Sequence, residues 1–415
     1  MCKDIYSKHI NLTFRVSSFL FTFLNNGFNN VSLPIIVFGQ VLQDRYMEKG
    51  FKVAIYLFDA KHDHVGLGEF ENSLAKEIVQ HAPLLKEKYN LQLFFIVSKE
   101  KMGAYGMDVE YILLDKWRKR LLNNRFTSAL FPFLFPKVDL VHWSHQTPLI
   151  NRCLSPYTLI TVHDVNFFHN DLSMGKTARK ARRIGKRLAK ATHLAFISNF
   201  TQKDVNAHFT IKIPAKVILN GVTDQSCLQE EVIIPQIPEK FFLHVSRLAA
   251  KKNVHLLVEM MKYLPDENLV LAGKGRSPYE QRLKKIIEEN HLTNVYLLGS
   301  VTAEEKAALY RKCKAFLFPS LSEGFGLPVV EAMCFGKPAF ISDRTSLPEI
   351  GGDAAYYFTE LRPDKMAEVI AGQMPLFEKD RECLETKIKQ HAAQFSWKKA
   401  ANEYISYYLD ILGLR

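Results

Sequence analysis

The sequence predicts an α/β protein built from two doubly wound, Rossmann-like domains that face each other across a cleft. Its 415 residues exceed the size at which a single hydrophobic core stops growing. Short β-branched and aromatic runs alternate with helical stretches, the signature of parallel sheets covered on both faces. That alternation stops after Asn220 and Gly221, in a stretch holding Pro235 and Pro238, and then starts again.

Residues 1–50 are rich in Asn and Phe without a sustained period and read as an N-terminal extension. The first domain spans 51–230, with buried strands expected at 51–58, 91–97, 140–143, 158–162 and 193–197. The second spans 231–394, with strands expected at 241–245, 269–271, 295–298, 315–318 and 338–341. The final segment, 395–415, carries apolar and aromatic residues at helical spacing. Ligands of such folds bind at the carboxyl ends of the strands, hence in the cleft.

Hydrophobic residues make up 47% and charged residues 24%, the balance of a globular chain rather than a disordered or fibrous one. A net charge of +12 calls for an anion somewhere: phosphate, nucleic acid or an acidic membrane. Cys2, Cys153, Cys227, Cys313, Cys334 and Cys383 form no CxxC pair and no framework spacing, which reads as reduced cysteine and a cytoplasmic chain. No run reaches the ~18 apolar residues of a membrane-spanning helix. Residues 16–24 follow Lys3, Lys8 and Arg15 but are too short, and lead too soon into asparagines, for a good signal sequence.

The most informative stretch is SLSEGFGLPVVEAMCFGKP at 320–338, a Gly-rich loop between the expected strand 315–318 and a short helix. Gly324 and Gly326 let backbone approach a ligand, and Pro328 suits the first turn. Free amides and the helix dipole there favour a diphosphate. Glu323 and Glu331, eight apart, are carboxylate acceptors suited to the hydroxyls of a hexose and a ribose. In FLHVSRLAAKKN at 242–253, Arg247 and Lys252 follow a strand and could stabilise a departing diphosphate. Taken singly, each has a plainer reading as a capped loop or a solvated surface charge.

Taken in order, these motifs resemble glycosyltransferase family 4, a retaining GT-B family with a Glu, seven residues, Glu signature inside EGFGLPxxEAM. LVLAGKG at 269–275, VYLLGSVTAEEKAALYRKC at 295–313 and LPEIGGDAAYYF at 347–358 are similar to the same family. The resemblance covers the second half well and the first half loosely. It implies that Arg247 and Lys252 grip the donor diphosphate and that Glu323 acts at the transferred sugar. It also sets Gly324, Phe325, Gly326, Leu327, Glu331, Gly273 and Val301 around the donor. Ser246 and Asn253 stand where the family usually has Gly.

In the first domain, His163 ends the expected strand 158–162, and the resemblance makes it the residue that contacts the transferred sugar. Asp164 could orient its ring or cap the next segment. Gly66 and Gly68, in HVGLGEFENSLAKEI, place a turn near donor phosphate or acceptor, although they lack the third glycine of a dinucleotide fingerprint. Ser198 reads first as a helix cap. The resemblance further implies that the last helix crosses back onto the first domain, and that retention comes from same-face attack assisted by the leaving phosphate.

No DxD pair and no His/Cys cluster with ligand spacing is present, so no metal and no cofactor is expected. Eight basic residues and no acidic one lie in 176–190: Lys176, Arg179, Lys180, Arg182, Arg183, Lys186, Arg187 and Lys190. Ala178, Ala181, Ile184 and Leu188 give that helix an apolar seam. Contact with an anionic membrane surface and a merely solvated face are both open; aromatic-rich 126–135 could lie nearby as an apolar patch or belong to the core. The expected activity is transfer of a hexose from a nucleotide-diphosphate sugar, GDP-mannose-like or UDP-linked, to a glycan or lipid-linked acceptor in cell-surface polysaccharide synthesis. No nucleic-acid partner is expected. The alternative is a nucleotide-dependent oxidoreductase or epimerase, which leaves the paired glutamates unexplained.

Overall fold

The computed structural model of the protein describes residues 50–62, 66–123, 136–150, 155–169, 173–226, 232, 234, 237–275 and 277–415. The extension 1–49, the aromatic segment 126–135, and Cys2, Cys153 and Cys227 lie outside the described residues.

Two all-parallel sheets form the frame. The first has seven strands in the order β3-β2-β1-β4-β5-β6-β7. These are β1 Phe51–Tyr56, β2 Leu91–Val97, β3 Glu110–Leu113, β4 Leu140–Trp143, β5 Tyr157–Val162, β6 His193–Phe196 and β7 Ala215–Val217. The second has six, in the order β10-β9-β8-β11-β12-β13. They are β8 Phe242–Val245, β9 Leu269–Ala272, β10 Val295–Gly299, β11 Ala315–Phe318, β12 Ala339–Ser342 and β13 Ala355–Phe358.

Three strands were absent from the sequence expectation: β3, β7 and β13. Each is an edge strand, with no neighbour on one flank among the described residues, and their mixed burial gives no continuous apolar run. The expected strand at 51–58 ends at Tyr56; Leu57 and Phe58 remain buried beyond it, ahead of the 3-10 turn Asp59–Lys61.

Because side chains alternate along a strand, β1 feeds two cores. Val53 and Ile55 join the cluster that holds Phe70, Leu74 and Ile78 of the helix Gly66–Val79. Ala54 and Tyr56 join the opposite cluster with Ile184 and Leu188 of the basic helix Met174–Leu188. Only those two side chains of that helix are fully buried; Ala178 is exposed, so the seam is shorter than the spacing suggested. The second domain has one continuous core from Phe241 to Phe395.

The helix Trp397–Leu412 packs into the first core. Trp397 meets Phe70 edge-on at 5.7 Å. Its tyrosines also close a buried polar chain: Tyr408 Oη lies 2.7 Å from His142 Nδ1, His142 Nε2 lies 2.8 Å from Thr161 Oγ1, and Thr161 Oγ1 lies 2.9 Å from Tyr404 Oη. Burying each such ring contributes ~1.5–3 kcal/mol, and the bonds satisfy groups that would otherwise be costly inside. The chain returns beside Gly221, where a Cβ would fall 2.1 Å from the Trp397 amide nitrogen.

Candidate active site

The loops that leave the carboxyl ends of the two sheets meet. After β11 the chain runs through Ser320 and Glu323 to Gly326, which opens the helix Leu327–Cys334 in the left-handed region at φ 116° with no side-chain cap. A Cβ on Gly324 would fall 2.1 Å from the carbonyl oxygen of His163. Glycine is thus demanded there by contact with the other domain's backbone, beyond any approach to a ligand.

Glu323 is held from several directions. Lys252 Nζ and Ser320 Oγ both donate to its Oε1, the latter at 2.5 Å, and its own amide donates to Thr345 Oγ1 at 3.0 Å. Burial pushes the Glu323 carboxyl up, but Lys252, Lys251 and these bonds more than offset it and keep it below its ordinary value. Lys252 lies over the Phe318 ring at 4.9 Å. Arg247 is different: its side chain is exposed and has no ion-pair partner among the described residues. The two cations expected to act alike are therefore one committed to Glu323 and one free.

Glu331 is also doubly engaged, with Lys306 Nζ 2.8 Å from Oε1 and Tyr310 Oη 2.8 Å from Oε2. Each carboxylate oxygen keeps a second lone pair for a hydroxyl. Lys306 and Tyr310 stand four apart in the helix Ala303–Lys312, hence on one face. From the first domain a third carboxyl, Glu69, faces this group: burial, then the nearby Glu331, push it up to about 7, with Lys306 acting against them. Sequence reading missed Glu69, Lys306 and Tyr310; the four-residue spacing of the last two was the available signal.

His163 sits just beyond β5, with Phe70 edge-on at 4.7 Å. Its Nε2 lies 2.7 Å from the Ser144 carbonyl oxygen. A carbonyl only accepts, so Nε2 carries the hydrogen. Burial pushes the imidazole down to about 4, which leaves it neutral, and Nδ1 is then the basic atom with no protein partner among the described residues. Asp164 accepts from the Asn166 amide at 3.1 Å, so it caps the following turn rather than orienting the ring.

Behind His163, Ser144 Oγ and the Ala60 amide hold the fully buried Glu71, at 2.5 Å and 2.7 Å. Ligand-type atoms of Asp59, Glu71 and His145 lie within 4.8 Å of one another, a grouping hidden by their separation in sequence. Thr147 donates its amide to His145 Nδ1, so Nε2 holds a hydrogen and donates it to Asp59 Oδ2 at 3.1 Å. Glu71 is thus held by Ser144 and Ala60, and His145 by Asp59 and Thr147.

Gly66 and Gly68 lie not in a loop between strand and helix but inside the helix Gly66–Val79, at its start, and a Cβ on Gly68 would strike the His62 carbonyl oxygen at 2.1 Å. Gly273, at φ 133°, brings the end of β9 against the Ser246 carbonyl oxygen, with no room for a Cβ. Val301 lies half-buried between β10 and Ala303–Lys312, packed on the second core. Among the described residues no helix is long and apolar enough to cross a membrane.

Residues 230–394 match the family model for glycosyl transferases group 1. The serotype-specific mannosyltransferase WbdA of Escherichia coli is 32% identical over 187 residues, 42% of this chain and 22% of that protein. The O-antigen chain mannosyltransferase RfbU of Salmonella typhimurium is 28% identical over 228 residues, 54% of this chain and 61% of that protein. These matches thus span 22% and 61% of the relatives' own lengths. Among solved structures, HepE of Anabaena in complex with UDP and glucose superposes with a TM-score of 0.62 at 17% identity, over 87% of this chain and 99% of that one. That likeness establishes the fold, the two-domain arrangement known as GT-B.

Proposed function

We propose that this chain is a hexosyltransferase that moves mannose, or a closely related hexose, from a nucleotide-diphosphate sugar to a glycan or lipid-linked acceptor in cell-surface polysaccharide synthesis. The observation that carries this reading is the meeting of Gly324 with His163 across the cleft, Gly324 and its neighbour Glu323 lying in the segment that matches the glycosyl transferases group 1 model. The names of WbdA and RfbU favour mannose. The oxidoreductase or epimerase alternative gains no support: it leaves unexplained the region that the family model matches.

The diphosphate lies against the amides that open Leu327–Cys334, gripped by exposed Arg247 and by Lys252. Charge builds on it as the glycosidic bond breaks, and cations fixed in a water-poor site stabilise it without reorganising. Glu331 accepts from the ribose and Glu323 from the hexose, while neutral His163 offers Nδ1 to a sugar hydroxyl. Attack on the same face as the departing phosphate retains the anomeric configuration, and these groups carry the reaction without a metal ion.

Lys176, Arg179, Lys180, Arg182, Arg183, Lys186 and Lys190 are exposed and face the anionic headgroups beside a lipid-linked acceptor. Arg187 turns inward, donating to the Ile150 carbonyl at 2.5 Å. The test is a thermal-shift panel with GDP-mannose, UDP-glucose and NAD, followed by capture of labelled sugar on lipid-linked glycans. A ligand at 100 times its Kd adds ~2.7 kcal/mol of stability. A shift with NAD alone, and no transfer in chelator or with added manganese, would overturn the reading.

A further inference from the structure

We infer that Glu349, Ser198, Thr201 and Asn166 form an interdomain latch that seats the Gly324 loop on His163, and that they are positioning residues for the proposed transfer, on which this inference rests.

The latch begins at a helix end. Ser198 follows β6 and caps the helix Asn199–His208, its Oγ accepting from the Thr201 amide at 3.0 Å. Glu349, of the second domain, reaches the same helix end. The Asn199 amide and its Nδ2 each donate to Glu349 Oε1 at 2.9 Å, and the Phe200 amide donates to Oε2 at 2.9 Å. Three donors on one carboxylate, at the positive end of a helix dipole, make a charge-assisted joint between the domains.

From that helix two hydroxyls bind the catalytic backbone. Ser198 Oγ lies 2.8 Å from the Gly324 carbonyl oxygen. Thr201 Oγ1 lies 3.2 Å from the same oxygen and 3.3 Å from the carbonyl oxygen of His163. Two hydroxyl hydrogens thus serve the two carbonyls that must stay in register. A third bond runs from Ser322 Oγ to Asn166 Oδ1 at 2.5 Å, with both residues buried.

The segment that carries Glu349 also holds the loop from behind. Thr345 Oγ1 accepts from the Glu323 amide at 3.0 Å, and Ser346 Oγ donates to the Phe325 carbonyl at 2.8 Å. Residues 345–349 therefore grip the Glu323–Phe325 backbone with one end and the first domain with the other. Displacing Glu349 frees the first domain to move away from the donor loop. It leaves Arg247, Lys252 and Glu331 in place, since these belong to the second domain.

The test compares Glu349→Ala, Glu349→Gln and Ser198→Ala with the unaltered chain by small-angle scattering, nucleotide binding and steady-state transfer. Glu349→Ala should enlarge the radius of gyration and lower kcat about tenfold or more, with the Kd for GDP or UDP unchanged within about twofold. Glu349→Gln keeps one acceptor oxygen and should fall between. Unchanged scattering and kcat in both Glu349→Ala and Ser198→Ala would overturn the latch, as would a parallel loss of nucleotide binding, which marks a general structural defect. If the unaltered chain transfers no sugar, the functional reading fails, while the scattering comparison still decides the latch.

Discussion

Lys252 and Glu323 form an ion pair inside the cleft, their side chains only 13% and 12% exposed, so one of the two cations assigned to the donor phosphate already has a second duty. On the proposed reading, Lys252→Ala removes a phosphate contact and also strands Glu323, whereas Arg247→Ala removes the proposed contact alone. Loss of one partner of a buried charge pair costs about 2–5 kcal/mol. Both variants should lose turnover, by roughly thirtyfold to several thousandfold if that cost falls on the transition state. Only Lys252→Ala should also lower the melting temperature, by several degrees. Calorimetry beside kinetics checks this, and equal melting temperatures would show that the pair is not a stabilising contact.

Gly324→Ala introduces a Cβ into a space occupied by the His163 carbonyl. Backbone there cannot give way cheaply, so the domains must separate, at about 1–3 kcal/mol. Turnover should drop about tenfold to a hundredfold while GDP or UDP still binds. Transfer assays with a parallel binding titration decide it.

The cleft contains a carboxyl that resists ionisation. Glu69 is pushed from 4.5 up to about 7 by burial and by Glu331, so the folded state prefers its protonated form. Stability linked to it is present below about pH 4.5 and lost as pH climbs through 7. Glu69→Gln should therefore be the more stable protein above pH 7, with the difference vanishing towards pH 4.5. Melting temperatures across that range test it; a constant difference would argue against a titrating Glu69.

His142 works in the opposite sense. Burial pushes it from 6.5 down to about 3, so its contribution is complete above pH 6.5 and is lost as pH falls towards 3. Tyr408→Phe removes the partner of His142 Nδ1 and should cost about 1–3 kcal/mol, measurable by denaturant unfolding.

Reversing the charge of Lys176, Arg179, Lys180 and Arg183 should weaken binding to vesicles rich in anionic lipid and leave hydrolysis of the donor nearly unchanged. Added salt should mimic the mutation, because exposed charges are screened over ~8 Å at physiological ionic strength. Unaltered sedimentation with vesicles would leave the helix a solvated face.

The central strands and the Gly-rich loop were legible because each is a local pattern: β11 is four buried apolar residues, and Glu323, Gly324 and Gly326 follow within eight positions of its end. Edge strands such as β7, with exposed Ala215 and partly buried Lys216, lack that contrast. Pairings across long separations left no local trace. Nothing near Lys252 announces Glu323 as its partner, nor does Gly324 announce that its neighbour is His163 rather than a ligand. The assignment of Gly66 and Gly68 to a turn failed because glycine at a helix start and glycine in a loop look alike until the first hydrogen bonds are known.

The helix Trp397–Leu412 gives the molecule a direction in time. His142 and Tyr408 meet in one buried network although 266 residues separate them. A ribosome delivers every strand of the first sheet, and then the whole second domain, before the tyrosines that seal the first core emerge. The second domain can reach its final packing while the first still shows the apolar groove that this helix will fill. During synthesis, the half that holds the Gly324 loop has its whole core available before the half that presents His163 does.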